Sequence, residues 1–154
     1  MKIRKAVPED LKVVHGLIME LFGQERETLD LELKSPGEVS DYYTNLLGEK
    51  LSEEYAAIYL AEENDQACGF ALAYILEDEL HTYNDKAYIR TIYVKPGFRK
   101  NGVGTLLIEK ILGWARDLKA ECAEADAYAE NKEGLAFWEH AGFKPKFTLV
   151  SRKI

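Results

Sequence analysis

Between Arg99 and Thr105 the chain reads Arg-Lys-Asn-Gly-Val-Gly-Thr, with two glycines one residue apart behind two basic residues. The run follows a strand-like stretch, Tyr88-Ile89-Arg90-Thr91-Ile92-Tyr93-Val94, rich in β-branched and aromatic residues. It opens a helix whose apolar stripe is Val103, Leu106, Leu107, Ile111, Trp114 and Leu118. A helix N-terminus carries unpaired N–H groups and the positive end of the peptide dipoles, so it attracts anions. Gly102 and Gly104 clear side chains from backbone that must approach an oxyanion closely. Arg99 and Lys100 add charge on the approach. The chemistry of this segment is that of a phosphate-binding turn.

Two nucleotide-binding readings fail on named residues. Gly97 and Gly102 have the spacing of a Walker A loop, but Val103 stands where its lysine belongs. A dinucleotide fingerprint needs a third glycine, and Leu107 occupies that position.

The pattern Arg-x-x-Gly-x-Gly, preceded by Val-x-Pro-x-x-Arg, resembles the acetyl-CoA pyrophosphate loop of the GNAT superfamily of N-acetyltransferases. Further on, Asn131 to Phe143 (Asn-Lys-Glu-Gly-Leu-Ala-Phe-Trp-Glu-His-Ala-Gly-Phe) is similar to that family's second motif. Gly134 replaces its alanine and Trp138 its tyrosine. With an opening strand and a Pro-Glu-Asp-Leu helix start at residues 8–11, the resemblance covers nearly the whole chain.

The resemblance implies an α+β fold. Its mixed, mostly antiparallel sheet would have six to seven strands, flanked by about four helices and splayed between strands four and five. Residues 1–154 would form a single N-acetyltransferase domain. It implies acetyl-CoA as co-substrate, with the pantetheine along Ile92, Tyr93 and Val94. The pyrophosphate would sit on the amides of Arg99, Lys100, Asn101, Gly102, Val103, Gly104 and Thr105, with Asn131 on the pantetheine side and Trp138 packed near the ligand. The amine attacks the thioester directly, without an acyl-enzyme. The family's usual general acid, a tyrosine, aligns with Trp138, whose indole N–H is a donor but not a usable acid. The usual acidic positions on the fourth strand hold Arg90 and Thr91. Replacements come from residues 123–129, read as a strand with Asp126 and Tyr128 on one face. Tyr128 would supply a proton or shape the pocket. Asp126, or a carboxylate of residues 20–41 acting through water, would be the base or hold a cationic amine.

Positioning these groups falls to the rest of the chain. Strands are expected at residues 2–6, at Tyr55–Glu62 and Cys68–Leu76 (a hairpin across Asn64-Asp65-Gln66), and at one or two places between Phe143 and Ile154. Helices are expected from Pro8, with Leu11, Val14, Ile18 and Leu21 inward, and from Ser35, with Val39, Tyr42, Tyr43, Leu46 and Leu47. A short one runs from Gly134 to Ala141 and ends at Gly142.

Bulk properties narrow the partners. The chain has 154 residues, 47% hydrophobic, and a net charge of −7. Residues 20–54 hold ten carboxylates against three basic residues, so this segment carries the whole excess. No basic face is available for nucleic acid. Aromatic Tyr42 and Tyr43 beside these acids suit a cationic amine. No apolar run approaches the roughly 20 residues that span a bilayer, and no signal peptide is visible, so a cytoplasmic enzyme is expected. Cys68 and Cys122 read as free thiols, and His15, His81 and His140 are too scattered for a metal. Three acceptor readings remain open: a small cationic amine (polyamine or aminoglycoside-like), a protein N-terminus or lysine, and an acyl-CoA-binding module with weak catalysis. A homodimer is one option, with Phe147–Val150 as a candidate contact.

Overall fold

A computed structural model describes residues 1–154. Its elements run β1 (Lys2–Lys5), α1 (Leu11–Thr28), α2 (Pro36–Ser52), β2 (Ala56–Glu63), β3 (Gln66–Glu77), β4 (Asp85–Val94), α3 (Val103–Asp117), β5 (Cys122–Ala125) and α4 (Lys132–His140). The strands form one sheet in the order β1-β2-β3-β4-β5, antiparallel except for the parallel β4–β5 pair.

Local chemistry explains most of these boundaries. Asn64 and Asp65 both take positive φ (50° and 60°), the backbone a tight β2–β3 hairpin needs, and both residue types tolerate it. Ser35 and Glu38 form a reciprocal capping box at the start of α2: Ser35 Oγ accepts from the Glu38 amide, and the Glu38 carboxylate accepts from the Ser35 amide. Arg4 ties β1 to the turn before α1 and to β2, with 2.6 Å contacts to both Asp10 and Glu62. These bonds to Arg4 hold both carboxyl pKa values below their ordinary range.

The two faces of the sheet differ in size of side chain. Ile58, Leu60, Phe70, Leu72 and Tyr93 pack under α1 and α2. Ala57, Ala61, Ala71 and Ala73 lie under α3, which fills the space with Val103, Leu107, Ile108 and Ile111. Each fully buried Leu or Ile contributes about 1.5–3 kcal/mol.

Two expectations are corrected. The sheet has five strands, not six to seven: residues 141–154 form no strand, and Phe147, Leu149 and Val150 are 76–87% exposed. Apolar β-formers in a row make a strand only where a neighbouring edge takes their backbone groups, and this segment meets none. The fifth strand also stops at Ala125, short of the expected 129. It pairs with β4 only from Lys86–Cys122 to Ile89–Ala125. Asp126 and Tyr128 therefore lie in the loop beyond the strand.

Beside this parting, β4 carries a bulge. Leu72 of β3 faces Thr91 and Ala73 faces Ile89, which leaves Arg90 without a partner on β3. From Arg90 to Val94 the β5 side of β4 is unpaired. Pairing between strands four and five thus ends at Ile89–Ala125, at the place where a splay was expected.

Candidate active site

The loop from Arg99 into α3 is built from unusual backbone. Lys100 and Gly102 have φ of 61° and 78°, both in the left-handed region, and Gly102 is the N-cap of α3 with no side-chain cap. Alternating left-handed residues turn successive N–H groups to one side, forming a nest for an anion. The amide of Arg99 donates to Pro96 O, and that of Leu106 closes the first helical turn on Gly102 O. The six amides between them, Lys100 to Thr105, donate to nothing in the chain. Six adjacent free N–H groups at a helix start are an anion site without any side chain.

Arg99 plays a different part from a phosphate ligand. Its Nε donates to Val94 O (2.8 Å) and its Nη2 to Gln24 Oε1 of α1 (2.7 Å), while the guanidinium lies 5.7 Å from the Tyr93 ring. It therefore ties the end of β4 to α1 and takes up one carbonyl of the Ile92–Val94 stretch. The Tyr93 side chain is buried in the α1–α2 core, and its hydroxyl reaches Glu20 at 3.5 Å.

Gly104 has a packing reason of its own. A Cβ there would meet the Phe137 ring at 2.7 Å, so the glycine lets α4 close against the start of α3. Gly134 is similar: a Cβ would strike the Asn131 side chain at 2.6 Å. Asn131 caps α4, its Oδ1 accepting from the Gly134 amide at 2.9 Å, which leaves its Nδ2 free. Trp138 packs edge-on between Phe137 and Phe143, with centroids 5.2 and 4.9 Å away.

On the other side of the parting lies a ring of tyrosines. Tyr88 Oη donates to Asp126 Oδ2 at 2.5 Å, and burial together with that bond pushes the phenol up to about 12. Tyr128 is also raised, by burial first and then by the charge of Glu25. Both hydroxyls thus keep their protons at neutral pH. Glu25, half-buried on α1, is raised by burial alone.

Sequence reasoning pointed to the acidic segment but not to Glu25 within it. Several of the other carboxylates are taken up: Glu20 by Lys95, Glu49 and Glu53 by Lys50, and Glu38 by the α2 cap. Tyr88 was missed, since nothing in a strand of mixed aromatics marks the one that meets Asp126. Cys68 is buried, and burial raises its thiol pKa.

Comparison with known proteins agrees with this geometry. The family model "Acetyltransferase (GNAT) family" matches residues 19–143. An uncharacterized N-acetyltransferase of Methanocaldococcus jannaschii is 37% identical over 60 residues, 39% of this chain and 26% of that protein, so the chain spans about a quarter of its length. The aminoglycoside N(6')-acetyltransferase type 1 of Acinetobacter haemolyticus is 30% identical over 108 residues, 68% of this chain and 74% of that protein. Among solved structures, the aminoglycoside N-acetyltransferase AAC(6')-Iy in complex with CoA superposes with a TM-score of 0.81 at 22% identity. The match covers 99% of this chain and 93% of that one.

Proposed function

Because the chain belongs to the GNAT family of acetyltransferases, we propose that it moves an acetyl group from acetyl-CoA to a small primary amine by direct attack at the parting of β4 and β5. The observation that carries this reading is the row of six free amides from Lys100 to Thr105. Acetyl-CoA brings the activated thioester and a diphosphate that these amides suit. The open edge of β4 beyond Arg90 offers backbone groups to the pantetheine arm, and Asn131 Nδ2 is a further donor nearby in the motif. The bulge at Arg90 frees backbone for the developing oxyanion.

The amine arrives as an ammonium ion, since its pKa is near 10, and must lose a proton before it attacks. Glu25 is the base best suited to this. Burial raises its pKa, which makes it a stronger proton acceptor than an exposed carboxylate. The nitrogen forms its bond to the acetyl carbon, the carbon–sulfur bond breaks, and the thiolate takes a proton from Tyr128, whose phenol is protonated at neutral pH; the second proton that the nitrogen sheds on becoming an amide returns to the phenolate. Asp126, held by Tyr88, contributes negative charge toward an ammonium group. Trp138 contributes packing alone. A polycationic acceptor is a second reading, supported by the aminoglycoside-modifying relative and the acidic segment.

Calorimetry of the protein with acetyl-CoA, followed by thiol release with a panel of primary amines, tests the proposal. Tight binding with amine-dependent thiol release is expected. Binding without release from any amine would leave a coenzyme-binding module, and no binding would remove the reading altogether.

A further inference from the structure

Seven lysine and arginine side chains are half-buried in this protein: Arg4, Arg26, Lys50, Lys86, Arg90, Lys95 and Arg99. Five of them have a carboxylate within 4.0 Å: Arg4 has Asp10, Lys50 has Glu53, Lys86 has Glu124, Lys95 has Glu20 and Arg99 has Glu133. Arg26 donates to the Lys34 carbonyl. Neither Arg26 nor Arg90 has a carboxylate at ion-pair distance, but Arg26 has that carbonyl, whereas the Arg90 Nε is sealed from solvent with no hydrogen-bond partner. It is also the residue at the β4 bulge, where β5 departs and the cleft begins.

The surroundings of Arg90 explain why no internal anion answers it. Its charge acts on five phenols, Tyr42 and Tyr43 of α2, Tyr74 of β3, Tyr88 of β4 and Tyr128 of the loop after β5. Burial works against the charge, but a guanidinium is too basic to lose its proton, so Arg90 stays ionised. The carboxylates that reach the same ring do so through other partners: Asp126 is bonded to Tyr88, and Glu25 is sensed at Tyr128. A buried cation left without a counter-ion is costly, and a protein keeps one where a ligand supplies the anion. The guanidinium at the bulge and the carboxylates of Glu25 and Asp126 therefore border the same group of aromatic hydroxyls. That is a surface for a molecule carrying both charges.

We infer that the acceptor is an amphoteric amine, its carboxylate held by Arg90 and its amino group directed toward Glu25 and Asp126. The inference rests on the acetyl-transfer reading for what happens to the amine, but the binding it describes is independent of turnover. Arg90 then sets specificity: it rewards an amino acid over the amine left by decarboxylation, and it opposes polycations.

The test pairs each of lysine, β-alanine and γ-aminobutyrate with its decarboxylated amine. Calorimetry on the CoA-loaded protein and thiol release with acetyl-CoA are measured for the wild type, Arg90→Gln and Arg90→Lys. At least one amino acid should bind and react about tenfold or more better than its decarboxylated partner. Arg90→Gln should erase that preference by raising KM for the amino acid, Arg90→Lys should restore part of it, and all three proteins should bind CoA alike. Preference for the decarboxylated members, a preference that survives Arg90→Gln, or no binding by any amino acid would each overturn the inference. Arg90-dependent binding of an amino acid with no thiol release would uphold it and overturn the transfer reading. Turnover of plain amines with no role for Arg90 would do the reverse.

Discussion

The two ends of the cleft are made of different material. The proposed coenzyme end is backbone: six amides, a left-handed Gly102 and a helix dipole, supplied by six consecutive residues. The acceptor end is side chain: Arg90, Glu25, Asp126 and a ring of tyrosines drawn from α1, α2, β3, β4 and the loop after β5. The first is fixed by local conformation and, on the proposed reading, takes the diphosphate of the coenzyme. The second depends on which distant segments meet, and it is where one acceptor is told from another. Substitutions at the two ends should therefore fail in different observables, affinity for the coenzyme at one and turnover or acceptor choice at the other.

The largest effect is expected from Glu25→Gln. Loss of a general base costs about 10²–10⁴-fold in kcat, while the affinity for acetyl-CoA should hold. The same residue gives a pH signature. Activity of the wild type should fall as pH drops through the raised Glu25 pKa, on an acid limb lying above the ordinary glutamate range. Stability runs the other way. A folded pKa above the unfolded one means that the native state binds more protons, so stability is lost as pH rises from the unfolded value through the folded one. Glu25→Gln should accordingly raise Tm at neutral pH and give no gain below the ordinary glutamate pKa. A pH-independent Tm difference would break the assignment.

Tyr128→Phe should lower kcat by about a hundredfold, the lower end of an acid contribution, and again spare coenzyme binding. Steady-state rates with a saturating acceptor measure it. Equal rates for the two proteins would give Tyr128 a purely steric role.

Gly102→Val probes the opposite end. A β-branched residue in the left-handed region costs about 1–2 kcal/mol. If the loop relaxes to avoid that strain, Kd for acetyl-CoA should rise about tenfold or more, read by calorimetry. Gly102 is the cleaner position for this test because a Cβ there meets nothing within 4 Å. At Gly104 the same change would drive into Phe137 and confound binding with the packing of α4. The smallest effect is expected from Trp138→Phe, which keeps an aromatic ring between Phe137 and Phe143 and should change kcat by no more than about threefold. A loss of a hundredfold would return an acid role to this position.

What could be read along the chain was whatever contiguous residues decide. The glycine loop, the Asn64-Asp65 turn and the Ser35–Glu38 cap each rest on the φ/ψ preferences of a few neighbours and stand in the folded protein; the apolar stripe of α3 stands at Val103, Leu107 and Ile111, while Leu106 is exposed. The same reasoning overreached at residues 143–154, because β-propensity cannot supply the edge a strand must pair with. It also extended the strand after α3 to Ala129, because alternation does not reveal where a neighbour curves away.

The amino-acid sequence by itself determined that a glycine turn with left-handed backbone follows a central strand and opens a helix, since backbone conformation at Gly102 is a local matter. Only the tertiary structure decided that Glu25, among ten carboxylates in residues 20–54, has its pKa raised by burial and that the Arg90 Nε is buried without a partner. Ionisation and pairing depend on the dielectric and on the partners assembled around a group. Glu25 and Arg90 acquire theirs from elements far apart in the chain.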